Sequence, residues 1–520
     1  MIQLAVIGCY LVLLVSLGYL ASRFFRGTSS DYMLASHSIG PVLLLMSLFG
    51  TTMTAFALVG STGVSYRQGV GIYGELASAA GIMHSLCFLI IGVPIWRLGR
   101  KHGFRTQIQF FRARFENNFI GYLLFPILVG FVITYLLVGV VGGGAVVQQV
   151  SKGAFASWGW FADVEHALPR SLASGAICLV VLAYVFMGGM RGTAWANAFQ
   201  TAFFMVLGIV TFVSIANSMG GTPSLWENLR IATETSPAEK RSMQSIQWSV
   251  YLSYLLIPIS VGMFPHIFQH WLTARSASSF KLPIIMHPIF VMIVWAPCVL
   301  IGVWANSDLA RLPANTGTNE VLATLVTLHT GALVGGLLSA GILAAIMSSL
   351  DSQFLCLGTM FTDDIVRNLT KEQITEQRLV WVARAFVVAV VVTTFCLSLV
   401  LPATVFDLGI WSFTGFTGLF PLVFAAIYWR RVTAAGAIAS ILVTAITWWV
   451  LFYRSQFGAV RNYTFPEEPL AWGLIEIPVM LPIVAVTVCS TITLVAVSLI
   501  TKPPCSTVVD KFFSSHQSVK

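Results

Sequence analysis

The sequence predicts an all-α polytopic membrane protein of thirteen transmembrane helices. Hydrophobic residues make up 57% of the 520 residues and charged residues only 9%, against about 25% charged in soluble domains. So few charges cannot cover a chain of this length in water. Lipid is therefore its solvent, and its backbone polar groups have to be satisfied within helices. Apolar stretches recur at 2–21, 41–66, 70–98, 119–150, 168–188, 194–216, 247–272, 283–305, 321–365, 379–400, 403–428, 432–453 and 473–500. Each has the length a helix needs to cross a bilayer, about 20 residues.

Taken in order, the first stretch lacks a basic region before it and a small-residue cleavage site after it. It reads as a retained helix and not as a signal peptide. The second carries Gly50, Gly60 and Gly63 among serines and threonines, and the seventh carries Pro258, Gly262 and Pro265. Proline removes a backbone donor and glycine lowers the cost of unwinding, so both spans read as broken. Five spans separate them, which is the offset expected of two inverted five-helix repeats, about 41–216 and 247–428. The longest hydrophilic stretch, about 217–247, is too short for a soluble domain. Residues 1–504 thus read as one transmembrane domain, and 505–520 as a short cytoplasmic tail.

The net charge of +9 reports topology rather than a nucleic-acid surface. With the N-terminus outside, 20 of the 29 Lys and Arg residues fall in cytoplasmic segments and nine outside. Positive charge concentrates on the cytoplasmic side of membrane proteins, so the expected placement is the plasma (inner) membrane with a cytoplasmic C-terminus. The eight cysteines contain no CxxC pair and read as small apolar residues, with no disulfide or metal site indicated.

The ninth span holds the densest polar cluster. Ser348 and Ser349 are adjacent hydroxyls, and Asp351 and Ser352 stand three and four residues after Ser348 on its helical face. A carboxylate inside a membrane span is costly and functional by default. A desolvated Na+ takes its oxygens from hydroxyls and unwound carbonyls, which pairs these serines with the break near Gly50. The solute belongs at mid-membrane between the breaks. Its expected lining is Thr52, Thr54, Phe56, Ala57, Glu75, Gly262, Phe264 and His266.

The chain resembles the sodium/solute symporter family. The matching stretches are Asp31–Gly40, Tyr184–Gly189, Trp195–Gln200, Gly341–Gln353 running on to Thr362–Ile365, Tyr428–Arg431 and Ser498–Pro504. The resemblance implies a LeuT-type core of two inverted repeats, with one helix before it and two after. It implies a sodium site formed by the carbonyls of Gly50, Met53 and Ala345 and the hydroxyls of Ser348 and Ser349. Relatives carry aspartate where this chain has Asn197, so a second cation would depend on Asp351 and Ser352 beside Asn197. The galactose symporters' glutamine aligns with Ala57, which argues against a sugar.

The expected function is sodium-coupled import of a small organic solute, an amino acid or a small carboxylate, by alternating access. No nucleotide loop, nucleophile triad or metal cluster points to an enzyme or an organic cofactor. The alternatives are a solute sensor with a transporter-like membrane domain and a proton-coupled carrier of the same fold. The expected partners are the solute and the lipid bilayer.

Overall fold

The computed structural model describes residues 1–22, 39–243, 247–370, 374–401, 403–472 and 475–513. Ten helices among them are long and apolar enough to cross a membrane. Two further spans are helix pairs bent at a break, and Arg170–Phe186 is a shorter apolar helix. These thirteen segments fall on the thirteen predicted stretches.

Both spans read as broken are broken. Pro41–Thr52 meets Phe56–Gln68 at 55°, and Trp248–Met263 meets Pro265–Thr273 at 51°. The first gives way at Met53, whose φ of −86° and ψ of 99° leave the helical path. Phe56–Gly60 then forms a π turn, a local widening often found at functional sites. In the second span, Pro265 opens the short helix at a position where its missing N–H costs nothing. The two spans are tied at one end, where Ile39 N donates to Thr273 O at 3.2 Å and Arg275 N donates to Ile39 O at 2.9 Å.

Three boundaries differ from the hydropathy reading. The stretch 321–365 is two helices, Val321–His329 and Ala332–Met360, because Thr330 and Gly331 are extended. The stretches 168–188 and 194–216 are two helices that meet directly, without a loop, at Gly189, whose φ of +54° and ψ of −159° are not helical. The last span is helical only over Pro482–Ile500. Before it lies an antiparallel pair, Leu470–Trp472 with Ile475–Ile477. Pro478 and Pro482, one turn apart, deny an earlier helix its backbone donors.

The helix Ala332–Met360 is the axis of the bundle, with every residue from Leu338 to Met360 buried. Glycines on Asn118–Val150 let it lie against that axis. A Cβ on Gly143 would sit 3.6 Å from Ile346, and one on Gly139 would sit 2.7 Å from Leu350. The two helices therefore run antiparallel, and Tyr135 stands level with Gln353 and Phe354. Helix Ser506–Phe513 packs its Phe512 against Phe104 and His102.

Candidate functional site

The first break and the axial helix meet at Gly50 and Ser348. Ser348 Oγ lies 2.7 Å from Gly50 O and 2.9 Å from Ala345 O, donating its proton between them. In an unbroken helix Gly50 O would accept from Thr54 N. The turn at Met53 carries Thr54 away and leaves that carbonyl to the serine. Three oxygens thus converge from two helices in a wholly buried place, which is the donor set that suits a desolvated alkali cation. Gly50 must be glycine here, since a Cβ would fall 2.3 Å from Thr201 Oγ1. Ser349 is buried beside Ser348, but its hydroxyl donates to Ile346 O at 2.9 Å within its own helix. Met53 occupies the break itself.

Asp351, Ser352 and Asn197 form a second buried cluster one turn further along. Tyr184 OH donates to Asp351 Oδ2 at 3.1 Å, and Ser352 Oγ to Asp351 Oδ1 at 3.1 Å. Asn197 lies 2.9 Å from Ser352 Oγ. With its amide oriented to satisfy both ends, its nitrogen donates to both Asp351 oxygens and to Ser348 O. His270 Nε2 approaches Ser352 Oγ at 3.3 Å. The carboxylate is surrounded by neutral donors, and Asn197 links this cluster to the sodium-type oxygens. Tyr184 was not singled out from the sequence, although it lies in a quoted motif stretch.

The expected solute lining divides. Thr54, Phe56, Phe264 and His266 come together around two residues that sequence reasoning missed, Tyr135 and Phe413. Phe56 meets Phe413 at 4.9 Å between ring centres, Tyr135 meets Phe413 at 5.2 Å, and Tyr135 meets Phe264 at 5.3 Å. His266 stacks on Phe264 at 5.3 Å and lies 5.8 Å from Tyr135, whose hydroxyl bonds Thr54. Thr52 turns its hydroxyl back to Phe49 O. Gly262 faces Phe420 and Cys87. Ala57 is buried one residue beyond Phe56. Glu75 belongs to the helix Gly71–Cys87, but the side chains of 73–78 lie outside the described residues, as does most of the motif 31–40.

Both ring nitrogens of His266 and both side-chain polar atoms of Gln353 are buried without a hydrogen-bond partner among the described residues. Tyr135 touches the first and stands level with the second. Such unpaired polar groups cost about 1–3 kcal/mol each.

Two broken helices, an inverted five-plus-five core and a buried polar centre at the breaks define a LeuT-type membrane transporter. A model of the sodium:solute symporter family matches residues 32–444, and the chain belongs to that family. It is similar to the sodium/proline symporter of Escherichia coli (strain K12), at 24% identity over 479 residues, covering 87% of this chain and 88% of that protein. It is similar to the osmoregulated proline transporter OpuE of Bacillus subtilis (strain 168), at 24% identity over 451 residues, covering 85% and 87%. Its fold is that of a Na+-coupled sialic acid symporter solved in a substrate-bound outward-open state. The TM-score is 0.72 at 18% identity, covering 97% of this chain and 98% of that one. The protein is a sodium-coupled symporter of a small organic solute, as the motif resemblance implied.

Proposed function

We propose that this chain imports an amino acid or small carboxylate by alternating access, loading sodium at Gly50, Met53, Ala345, Ser348 and Ser349. The carrying observation is His266, which opens the helix after the second break with both ring nitrogens buried and unpaired among the described residues, inside the ring cluster of Tyr135 and Phe264. Gln353, on the axial helix, is likewise buried and unpaired among them. A solute with polar ends offers them partners, while Phe56, Tyr135, Phe264 and Phe413 enclose its apolar part. The proline specificity of several relatives supports this solute class.

Sodium acts through the first break. Its binding draws Gly50, Met53 and the axial serines onto one centre and fixes the break that also carries Thr54 and Phe56. The solute then meets a preorganised wall, and that wall is the coupling. The Asp351–Ser352–Asn197 cluster supplies the ligands for a second cation. One sodium moving through ~100 mV is worth about 2.3 kcal/mol. A tenfold gradient adds about 1.4 kcal/mol, enough together for a several-hundredfold solute enrichment.

The N-terminus lies outside and the C-terminus in the cytoplasm of the plasma (inner) membrane. In support, contacts group the loops at two ends. Arg170 pairs with Glu320, and Gln68 with Asn462, at the outer end. Lys101 meets Lys511 O, and Arg431 meets Thr501 O, at the other.

The test is uptake by purified protein in proteoliposomes, using labelled amino acids, monocarboxylates, vitamins and polyols, with sodium and with choline in its place. Sodium-dependent accumulation of one carboxylate is expected. Accumulation driven by a proton gradient alone would overturn the ion assignment. Accumulation of a polyol alone would overturn the solute class.

A further inference from the structure

The short helix Gln107–Phe115 lies at the end of the bundle where Lys101 meets Lys511 O, and its Arg114 is wholly buried. Arg114 Nε donates to Ala426 O at 2.9 Å, and Nη2 donates to Trp429 O at 3.2 Å. Those carbonyls end the helix Val405–Tyr428, so the arginine caps it. Nη1 has no hydrogen-bond partner among the described residues, and no carboxylate pairs with the guanidinium among them. The rings of Phe115 and Phe513 lie 5.4 and 5.3 Å from it. A cation taken out of water is costly unless an anion meets it. Capping accounts for two of the three nitrogens and leaves the charge unanswered.

Arg114 is in the wall of a cavity of about 340 Å³, together with Lys502 and the start of helix Ala434–Arg454. That start is partly capped. Thr433 Oγ1 accepts from Gly436 N at 3.1 Å, and Thr433 O accepts from Ala437 N at 3.0 Å. The N–H groups of Ala434 and Ala435 have no acceptor among the described residues. Both residues line the cavity. Unspent first-turn donors and the positive end of a helix favour an anion. Glu116 is the one acid in the wall, and it is exposed. Because Ala434 begins a membrane-crossing helix, the cavity sits at the depth of lipid headgroups.

We propose that this cavity binds a phosphoryl group, carried by a phospholipid headgroup or by a soluble phosphate. A phosphoryl group has oxygens enough for Arg114 Nη1, the two amides and Lys502 together, whereas a carboxylate has only two. Cys505 and Val508 of the C-terminal segment complete the wall, so an occupant also holds helix Ser506–Phe513 against the bundle. The site is independent of the solute and sodium positions.

Cys505 is exposed and serves as the reporter. The full chain is delipidated in dodecyl maltoside, and reaction of Cys505 with N-ethylmaleimide is followed by mass spectrometry of its peptide. Sodium phosphate is compared with sodium chloride of equal ionic strength, and dioleoylphosphatidylglycerol with oleate. At ten times its dissociation constant the occupant should slow the reaction by about tenfold. Slowing by the lipid alone assigns the site to a headgroup, and slowing by inorganic phosphate alone assigns it to a soluble phosphate. Ala434→Pro removes one amide donor at a position where proline fits, after a Thr433 that is already extended. It should raise the half-protecting concentration by about tenfold, the effect of one charge-assisted bond. Lys502→Gln should raise it less, and Arg114→Lys, which keeps the charge but loses the fork, should raise it at least as much as Ala434→Pro. Lipid retained through purification would show as variants that react faster than wild type, which also supports the site. Slowing by oleate as great as by the phospholipid, slowing that all three variants share, or one rate for wild type and variants under every condition would overturn it.

Discussion

The hydroxyl oxygen of Ser348 sits 2.7 Å from the carbonyl oxygen of Gly50, across 298 residues of sequence. That contact joins the axial helix to the one place where the first broken span cannot complete its own ladder. Ser348→Ala removes one of the converging oxygens. It should raise the half-saturating sodium concentration for uptake about tenfold, equivalent to ~1.4 kcal/mol of binding. Ser349→Ala should also raise it, since a rotamer change brings that hydroxyl from Ile346 O toward the same centre. Sodium titrations of uptake check both. Unchanged dependence in the two variants would take both serines out of the site.

Gly50 also seats the break against the helix behind it. A Cβ there would meet Thr201 Oγ1 at 2.3 Å and Asn197 O at 3.3 Å, and neither has room to retreat in a fully buried position. Gly50→Ala should lower stability by about 1–3 kcal/mol, as overpacking generally does. Thr201→Ala removes the nearer atom, so the double variant should regain part of the loss. Thermal unfolding of the three purified variants decides this, and a Gly50→Ala protein as stable as wild type would contradict the packing.

Much of this was legible in the sequence because the membrane restricts the choices. Apolar length alone marked thirteen spans, and Pro and Gly placement marked both breaks. Ser348, Gly50 and Asp351 stood out because hydroxyls, a glycine-rich turn and a carboxylate are costly in lipid unless used. Tyr135, Phe413 and Gln353 did not stand out. An aromatic or amide in an apolar span looks like packing until the fold brings three helices together. The proline-delayed start of the last helix was missed for a different reason, because hydropathy counts Pro478 and Pro482 as neutral and ignores the donors they lack.

Asp351 receives Tyr184, Ser352 and Asn197, all neutral donors, in a place with no solvent access. Asp351→Asn turns one acceptor oxygen into a donor facing donors. A broken buried hydrogen bond of this kind costs about 1–3 kcal/mol, so the melting temperature should fall by several degrees. If the cluster holds the second cation, the Hill coefficient for sodium should fall to one in the same variant. A cooperative wild type whose cooperativity survives Asp351→Asn would confine Asp351 to a structural role.

His266 and Gln353 set the last prediction, because they separate solute binding from ion binding. His266 is held by Phe264 and Tyr135 through ring contacts alone, with both nitrogens unsatisfied among the described residues. Its replacement therefore breaks no protein hydrogen bond. His266→Ala and Gln353→Ala should each weaken the transported solute by about tenfold or more, the cost of one lost polar contact. Each loses buried packing but also removes an unpaired buried group, so both should unfold within a few degrees of the wild-type temperature. Tyr135→Phe should act in the same direction on the solute while loosening Thr54, the residue next to the sodium-side break. Half-saturating sodium should stay near the wild-type value in His266→Ala and rise modestly in Tyr135→Phe. Solute and sodium titrations of uptake, run side by side, test that ordering. If His266→Ala instead weakens sodium as much as solute, the ion and solute positions overlap, and the division of labour between the two breaks is wrong.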